Sequence, residues 1–287
     1  MTNEPGRARP GRSPRLTRRG RVVLVVAAVL VVAAAVLVPV LLMRGRGTME
    51  QSTPLVVPEG RRASQVYASV DNALSVAPGT TRKAVAGAGL ALPEDARGNP
   101  EGYLFPATYP VVARTTPGGL LRYMVDTANQ RFGTGRIGAA ARRNGVTVYE
   151  AVTIASIAQA EADTKADMGK VARVILNRLS RKMALQMDST LNYALNRSTL
   201  DTAPEDLKTD SPFNTYLHKG LPPTPIGNPG DEAMNAVTEA PSGGWLYFVT
   251  VAPGDTRFAT TYAEQQRNVR EFNEKRRGGS GRGRARR

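Results

Sequence analysis

Glu161 closes the run TIASIAQAE (Thr153 to Glu161), so an ionisable carboxyl stands at the end of an apolar segment. Steps of about 100° from Val148 place it between Ile154 and Ile157, on the edge of the apolar arc, while Tyr149, Thr153 and Ser156 gather on the other side. A carboxyl so placed is partly desolvated, which raises its pKa and favours the proton-bearing form a general acid needs. The same residue also reads as a helix-end glutamate that reaches solvent or pairs with Lys165. Asp188, in LQMDST (Leu185 to Thr190), is the second carboxyl of interest. It or Ser189 fits the cap of a short helix through Leu195. Asp188 also fits a base that activates water opposite Glu161. The chain has a single histidine, His218, and no cysteine. That removes disulfides, thiolate zinc sites and cysteine nucleophiles, and leaves acid–base work to Asp, Glu, Lys or Tyr. No metal or cofactor is expected.

The elements that must hold these groups can be read from the residue pattern. Thr147 and Glu150 form a capping box that opens a helix running to about Asp163. A second helix, about Met168 to Met183, puts Val171, Val174, Ile175, Leu179 and Met183 on one face. Its charges Lys170, Arg173, Arg178 and Lys182 read as a solvated face. Residues 211–230 (SPFNTYLHKGLPPTPIGNPG) form a long Pro- and Gly-rich loop of the kind that carries function. Trp245 to Val251 reads as a strand and Tyr262 to Lys275 as a closing helix. Upstream, Leu55 to Glu101 alternates short apolar runs with turns, a small α/β piece with a helix at about 63–74.

The formal net charge is +15, and its location excludes a nucleic-acid groove. Residues 1–21 carry +6, residues 275–287 carry +7, and Arg44 with Arg46 adds the rest, so residues 47–274 are neutral. Val22 to Met43 contains no charged residue and at about 1.5 Å per residue is long enough to cross a bilayer core. No small-x-small cleavage pattern comes after it, and the Arg-rich segment before it belongs on the cytoplasmic side. The expected order is a cytoplasmic basic tail (1–21), a transmembrane signal anchor (22–43), a linker (44–54), a small α/β region (55–110), a mainly helical domain (111–275) and a disordered basic tail (276–287). The domain after the anchor is expected outside the membrane.

These segments resemble the YceG-like (MltG-type) endolytic peptidoglycan transglycosylases. The run ending at Glu161 is similar to their T-x-A-S-I-[IV]-E-K-E motif, Val171 to Leu179 to V-A-x-V-x-x-N-R-L, and Leu185 to Thr190 to L-Q-x-D-x-T. Asn214-Thr215-Tyr216, Gly220 to Pro223, Asn228 to Gly230, Leu246 to Val249 and the segment Glu101 to Pro106 continue the likeness. The resemblance implies an α+β fold, with a partial LysM-like piece before the catalytic domain. It implies cleavage of the β-1,4 bond between N-acetylmuramic acid and N-acetylglucosamine, with the muramic C6 hydroxyl attacking its own C1 to leave a 1,6-anhydro end. Glu161 aligns with the catalytic acid, and Gln186, Asp188, Asn214 and Tyr216 fall in motifs expected to line the glycan cleft. Partners implied are peptidoglycan strands, the membrane and wall-synthesis proteins such as penicillin-binding proteins. Alternatives are a non-catalytic glycan-binding scaffold subunit and a muramidase that uses water. The chain departs from the family at Gln159 and Ala160, where E-K-E has an acid and a lysine, at Ala107, at Ser189 where proline is common, at Thr256 and at Gln265.

Overall fold

The computed structural model describes residues 53–198, 202–252 and 254–284. The expected anchor at 22–43 lies outside them. Among the described residues no helix is long and apolar enough to cross a membrane. The fold is α+β and mostly helical. Strands β1 (Thr53–Val56) and β2 (Thr108–Val111) pair antiparallel, with Leu55 opposite Tyr109. Between them in sequence lie α1 (Ala63–Ala73) and the short α2 (Thr80–Ala84). Then come α3 (Pro117–Phe132), α4 (Gly135–Arg143), α5 (Val148–Glu161), α6 (Lys165–Ser180), α7 (Asp188–Ala194) and α8 (Asp231–Thr238). A hairpin of β3 (Tyr247–Ala252) and β4 (Asp255–Ala259) and the last helix, α9 (Tyr262–Arg284), complete the order. Side chains from both sides of residue 110 form one core, including Leu55, Leu104, Leu121, Met124, Ile154, Ile175 and Val237.

The helix starts obey their local chemistry. Thr116, Thr134, Thr147 and Thr164 each accept a backbone N–H from the first turn, and Thr147 and Glu150 complete the capping box. The Thr164 cap sets α6 going at Lys165, earlier than the apolar periodicity indicates. The last helix runs past Lys275 to Arg284, into the segment expected to be disordered; four of residues 278–284 are glycine, so local helix propensity does not account for the extension.

The central helix α5 is buried on nearly every side. Tyr149, Thr153 and Ser156, set apart by the sequence pattern, are as enclosed as Ile154 and Ile157. Two of the hydroxyls tolerate this because Thr153 donates to the Tyr149 carbonyl (3.0 Å) and Ser156 to the Thr153 carbonyl (2.8 Å), while the Tyr149 hydroxyl is buried with no hydrogen-bond partner among the described residues. Ser156 Oγ also accepts the Ile226 N–H at 3.1 Å, so the 211–230 loop packs where solvent would otherwise be. Gly102 fits this contact: its φ is +86°, and a Cβ there would come within 2.5 Å of Pro225 and 3.1 Å of Val152.

Two buried polar residues tie the loop and the 101–105 segment to the start of α1. Asn228 is fully buried; its Nδ2 donates to the Arg61 carbonyl (2.7 Å) and its Oδ1 accepts the Leu104 N–H (2.7 Å). Its backbone bonds to Gly60 and Arg61 as well. Glu101, also buried, accepts the Ala63 N–H (2.9 Å) and the Tyr193 hydroxyl (3.0 Å), linking α1 to α7. Burial pushes its pKa up to about 7, against the pull of those donors and the Arg62 charge.

Asn228→Ala leaves the Leu104 N–H without its partner and removes one of two donors to the Arg61 carbonyl, which should cost about 1–3 kcal/mol, read as a lower urea midpoint. Glu101 titrates higher in the folded chain than unfolded, so its contribution to stability is full below the unfolded value of 4.5 and fades as pH rises towards about 7. Glu101→Gln should flatten the stability–pH curve across that window; an unchanged slope in a pH series of melts would refute the assignment.

Candidate active site

Helix α5 ends at Glu161 because Ala162 turns extended (φ −143°, ψ 137°) and Thr164 already caps the next helix. The carboxyl is therefore delivered at the rim of the core rather than inside it. Its Oε1 accepts the backbone N–H of Ser189, at the start of α7, at 3.0 Å. Burial raises the Glu161 pKa, the Ser189 hydroxyl and N–H oppose the rise, and the nearby Asp188 charge adds to it. Glu161 is half-buried, and its hydrogen bond goes to Ser189 rather than to Lys165. A cleft of about 320 Å³ is lined by Ala160 and Ser189, the chain neighbour and the hydrogen-bond donor of Glu161, together with Ile226, Asn192, Arg62 and Arg197; Glu161, Gln186, Asp188 and Tyr216 are not in its lining.

Asp188 is the first residue of α7 rather than its cap. The cap position is Met187, which offers no side-chain bond. The Asp188 carboxylate instead accepts the Tyr216 hydroxyl at 2.6 Å. Burial and that carboxylate hold the Tyr216 phenol firmly protonated, and the Glu161 charge acts in the same direction. Glu161, Asp188 and Tyr216 thus form one electrostatic group, drawn from α5, α7 and the 211–230 loop.

Gln186 stands at the site's edge, exposed, with a left-handed backbone (φ +52°). Its N–H bonds to the Thr215 carbonyl (3.0 Å) and its Oε1 accepts from Arg178 (3.1 Å), which leaves its amide N–H₂ facing outward. Asn214 departs from the expectation. It is fully buried, its Nδ2 donates to the carbonyls of Leu207 and Thr209, and its Oδ1 accepts the Tyr216 N–H. It shapes the loop that presents Tyr216 and does not itself face the cleft.

Arg178 is the largest correction. The helical pattern puts it on a solvated face, yet it is buried. Its guanidinium donates to the carbonyls of Leu246 (2.6 Å), Ala184 (3.0 Å) and Leu185 (2.7 Å) and lies 5.2 Å from the Tyr247 ring. Burial lowers its pKa, and the hydroxyl-bearing rings of Tyr247 and Tyr216 counter that. Asn177 beside it donates to the carbonyls of Gly243 and Trp245, so the Asn-Arg pair fastens the hairpin and the 184–186 turn to α6. The signal in the sequence is two adjacent polar residues inside the apolar end of a helix. Thr215 and Thr190, also missed, join the same framework: Thr215 Oγ1 accepts the Met187 N–H (3.0 Å) and meets Thr190 Oγ1 at 2.9 Å.

The departure at position 159 has a local cause. Gln159 donates through Nε2 to Glu59 (2.6 Å) and accepts the Gly230 N–H through Oε1 (3.1 Å). A glutamate there would set two carboxylates against each other. Among the described residues no cluster of His, Cys, Asp and Glu could hold a metal ion. The exposed His218 lies 3.7 Å from Asp210.

Comparisons with known proteins bear on this arrangement. The endolytic murein transglycosylase of Bacillus subtilis (strain 168) is 36% identical over 173 residues, which cover 60% of this chain and 48% of that protein. The protein of the same name from Streptococcus pneumoniae serotype 2 (strain D39) is 33% identical over 177 residues, 60% of this chain and 32% of its own length. The matched part thus spans half or less of these relatives. A crystal structure of a YceG-like protein from Listeria monocytogenes superposes with a TM-score of 0.66 at 28% identity, covering 77% of each chain. Residues 37–271 match the model of the YceG-like family, and the chain belongs to that family.

Proposed function

We propose that this protein is an endolytic peptidoglycan transglycosylase, anchored by residues 22–43, that cuts the muramic–glucosamine bond within glycan strands. The observation that carries the reading is the Glu161 carboxyl: raised in pKa by burial, held by Ser189, and set beside a cleft. The names of the relatives support the reaction class. In this reading Glu161 protonates the leaving glycosidic oxygen as its bond to muramic C1 breaks. The muramic C6 hydroxyl then attacks C1 and returns its proton to Glu161, closing the 1,6-anhydro ring. The nucleophile comes from the substrate, held beside C1 by geometry, so no second carboxylate is required. Gln186 offers amide donors to sugar hydroxyl or N-acetyl groups, and Tyr216 is held to Asp188 beside Glu161. Asn214 contributes by holding Tyr216.

The wider reading rests on the sequence. The basic N-terminal tail stays cytoplasmic and the domain from residue 53 onward works outside the membrane, on strands supplied by wall-synthesis proteins such as penicillin-binding proteins. The strand–helix–helix–strand segment 53–111 serves as the LysM-like piece. A second enzymatic reading has its own support: Asp188 lies close enough to Glu161 to oppose its ionisation, and a carboxylate pair could activate water. The Tyr216 hydrogen bond argues against it, because it already occupies Asp188 Oδ1, an oxygen that would have to face the water.

Glu161→Gln should keep the fold and lower glycan cleavage by about three orders of magnitude or more, assayed on purified peptidoglycan. Cleavage at the wild-type rate would remove Glu161 from the mechanism. In water enriched in oxygen-18 the new muramic ends should be anhydro and unlabelled; labelled reducing ends as the main product would establish hydrolysis instead.

A further inference from the structure

Ser189 occupies a position the proposed chemistry does not yet use. Its backbone N–H donates to Glu161 Oε1 at 3.0 Å. Its hydroxyl is buried and, among the described residues, finds no hydrogen-bond partner in this rotamer, although it lies close enough to favour the charged carboxylate. A buried hydroxyl is rarely left without a partner, and a serine side chain can rotate about a single bond to find one. The Glu161 carboxylate is the neighbour whose demand for donors changes during the reaction.

We propose that Ser189 is a positioning residue for Glu161: the N–H fixes one carboxylate oxygen, and the hydroxyl turns to donate once Glu161 has released its proton. This rests on Glu161 acting as the acid. The hydroxyl moves no proton of its own. While Glu161 is neutral, one donor suffices. When its proton passes to the leaving oxygen, the negative charge that appears on the carboxylate meets a second donor, and this stabilises the state in which the glycosidic bond is broken. The other charged or titratable groups acting on Glu161 are Asp188 from α7 and Tyr216 from the loop; Arg178 of α6 acts on Tyr216, and Arg62 and Arg197 line the cleft next to Ser189. Of those nearest the carboxyl, Asp188 carries the wrong charge to take the hydroxyl's place and Tyr216 already donates to Asp188.

The test is a pH–rate series on purified glycan strands with the full chain and its Ser189→Ala, Ser189→Thr and Glu161→Gln variants. Removing a donor that favours the charged form raises the Glu161 pKa, so in Ser189→Ala the high-pH limb should move upward by about half a unit or more. kcat should fall about tenfold with KM little changed, because the missing bond forms only as charge develops. Ser189→Thr, which keeps the hydroxyl, should return both towards wild type. A Ser189→Ala variant with an unmoved limb overturns the proposal, whether its rate is unchanged or merely lowered. An active Glu161→Gln variant would instead bring down the acid assignment itself.

Discussion

A helix enclosed on almost every side leaves its polar groups few places to go, and α5 sets the terms for the rest of the molecule. Its Thr153 and Ser156 hydroxyls are satisfied within the helix, and Ser156 also accepts the Ile226 N–H, so the 211–230 loop can lie against it without water between. Its one carboxyl outside the capping box emerges only at the last residue, where the chain turns extended. Everything that could contact a reacting group has to be brought to that end. The turn at 184–190 arrives through Arg178 and Thr215, the loop through Asn214 and Asn228, and the start of α1 through Glu101.

The framework is notable for how little of it consists of paired charges. Arg178 is held by carbonyl oxygens, and Asn214 and Asn228 by backbone groups on both sides of their amides. The ion pairs lie mostly at the surface, as with Arg131 and Asp231 or Arg136 and Glu239, where solvent leaves them little energy. The amide groups that bind backbone fix loop shape without adding a charge, and the Arg178 guanidinium is directed at carbonyl oxygens rather than at Glu161. The electrostatics of the carboxyl are thereby left to Asp188, Tyr216 and Ser189.

Much of the scaffold is legible in the sequence because it depends on neighbours along the chain. The Thr147–Glu150 box and the apolar run announce α5, and the Pro- and Gly-rich composition of 211–230 announces the loop that packs on it. The position of Glu161 at the helix end can be read in the same way. The illegible part depends on partners distant in the chain. Arg178 reads as solvated because nothing near it reveals that carbonyls from 184, 185 and 246 converge on it. Asp188 reads as a cap because Tyr216, its real partner, is 28 positions away. Asn214 reads as a sugar ligand because an amide's preference for hydroxyls and for carbonyls is the same chemistry.

The bridge from Glu59 through Gln159 to Gly230 couples three positions that are far apart in the chain. Glu59 packs so closely on Gly230 that any side chain there would overlap its carboxylate. A side chain at 230 therefore requires the exposed Glu59 carboxylate to swing away from Gln159, and 159 must present both a donor and an acceptor to keep the bridge. An acid at 159 suits a chain with a neutral or basic residue at 59, whereas an acid at 59 suits the amide seen here. The route between those two solutions passes through a chain with either two facing carboxylates or an unfilled contact. Sequences of this fold are thus expected to separate into two compatible sets at these sites, with the exchanges at 59 and 159 made together.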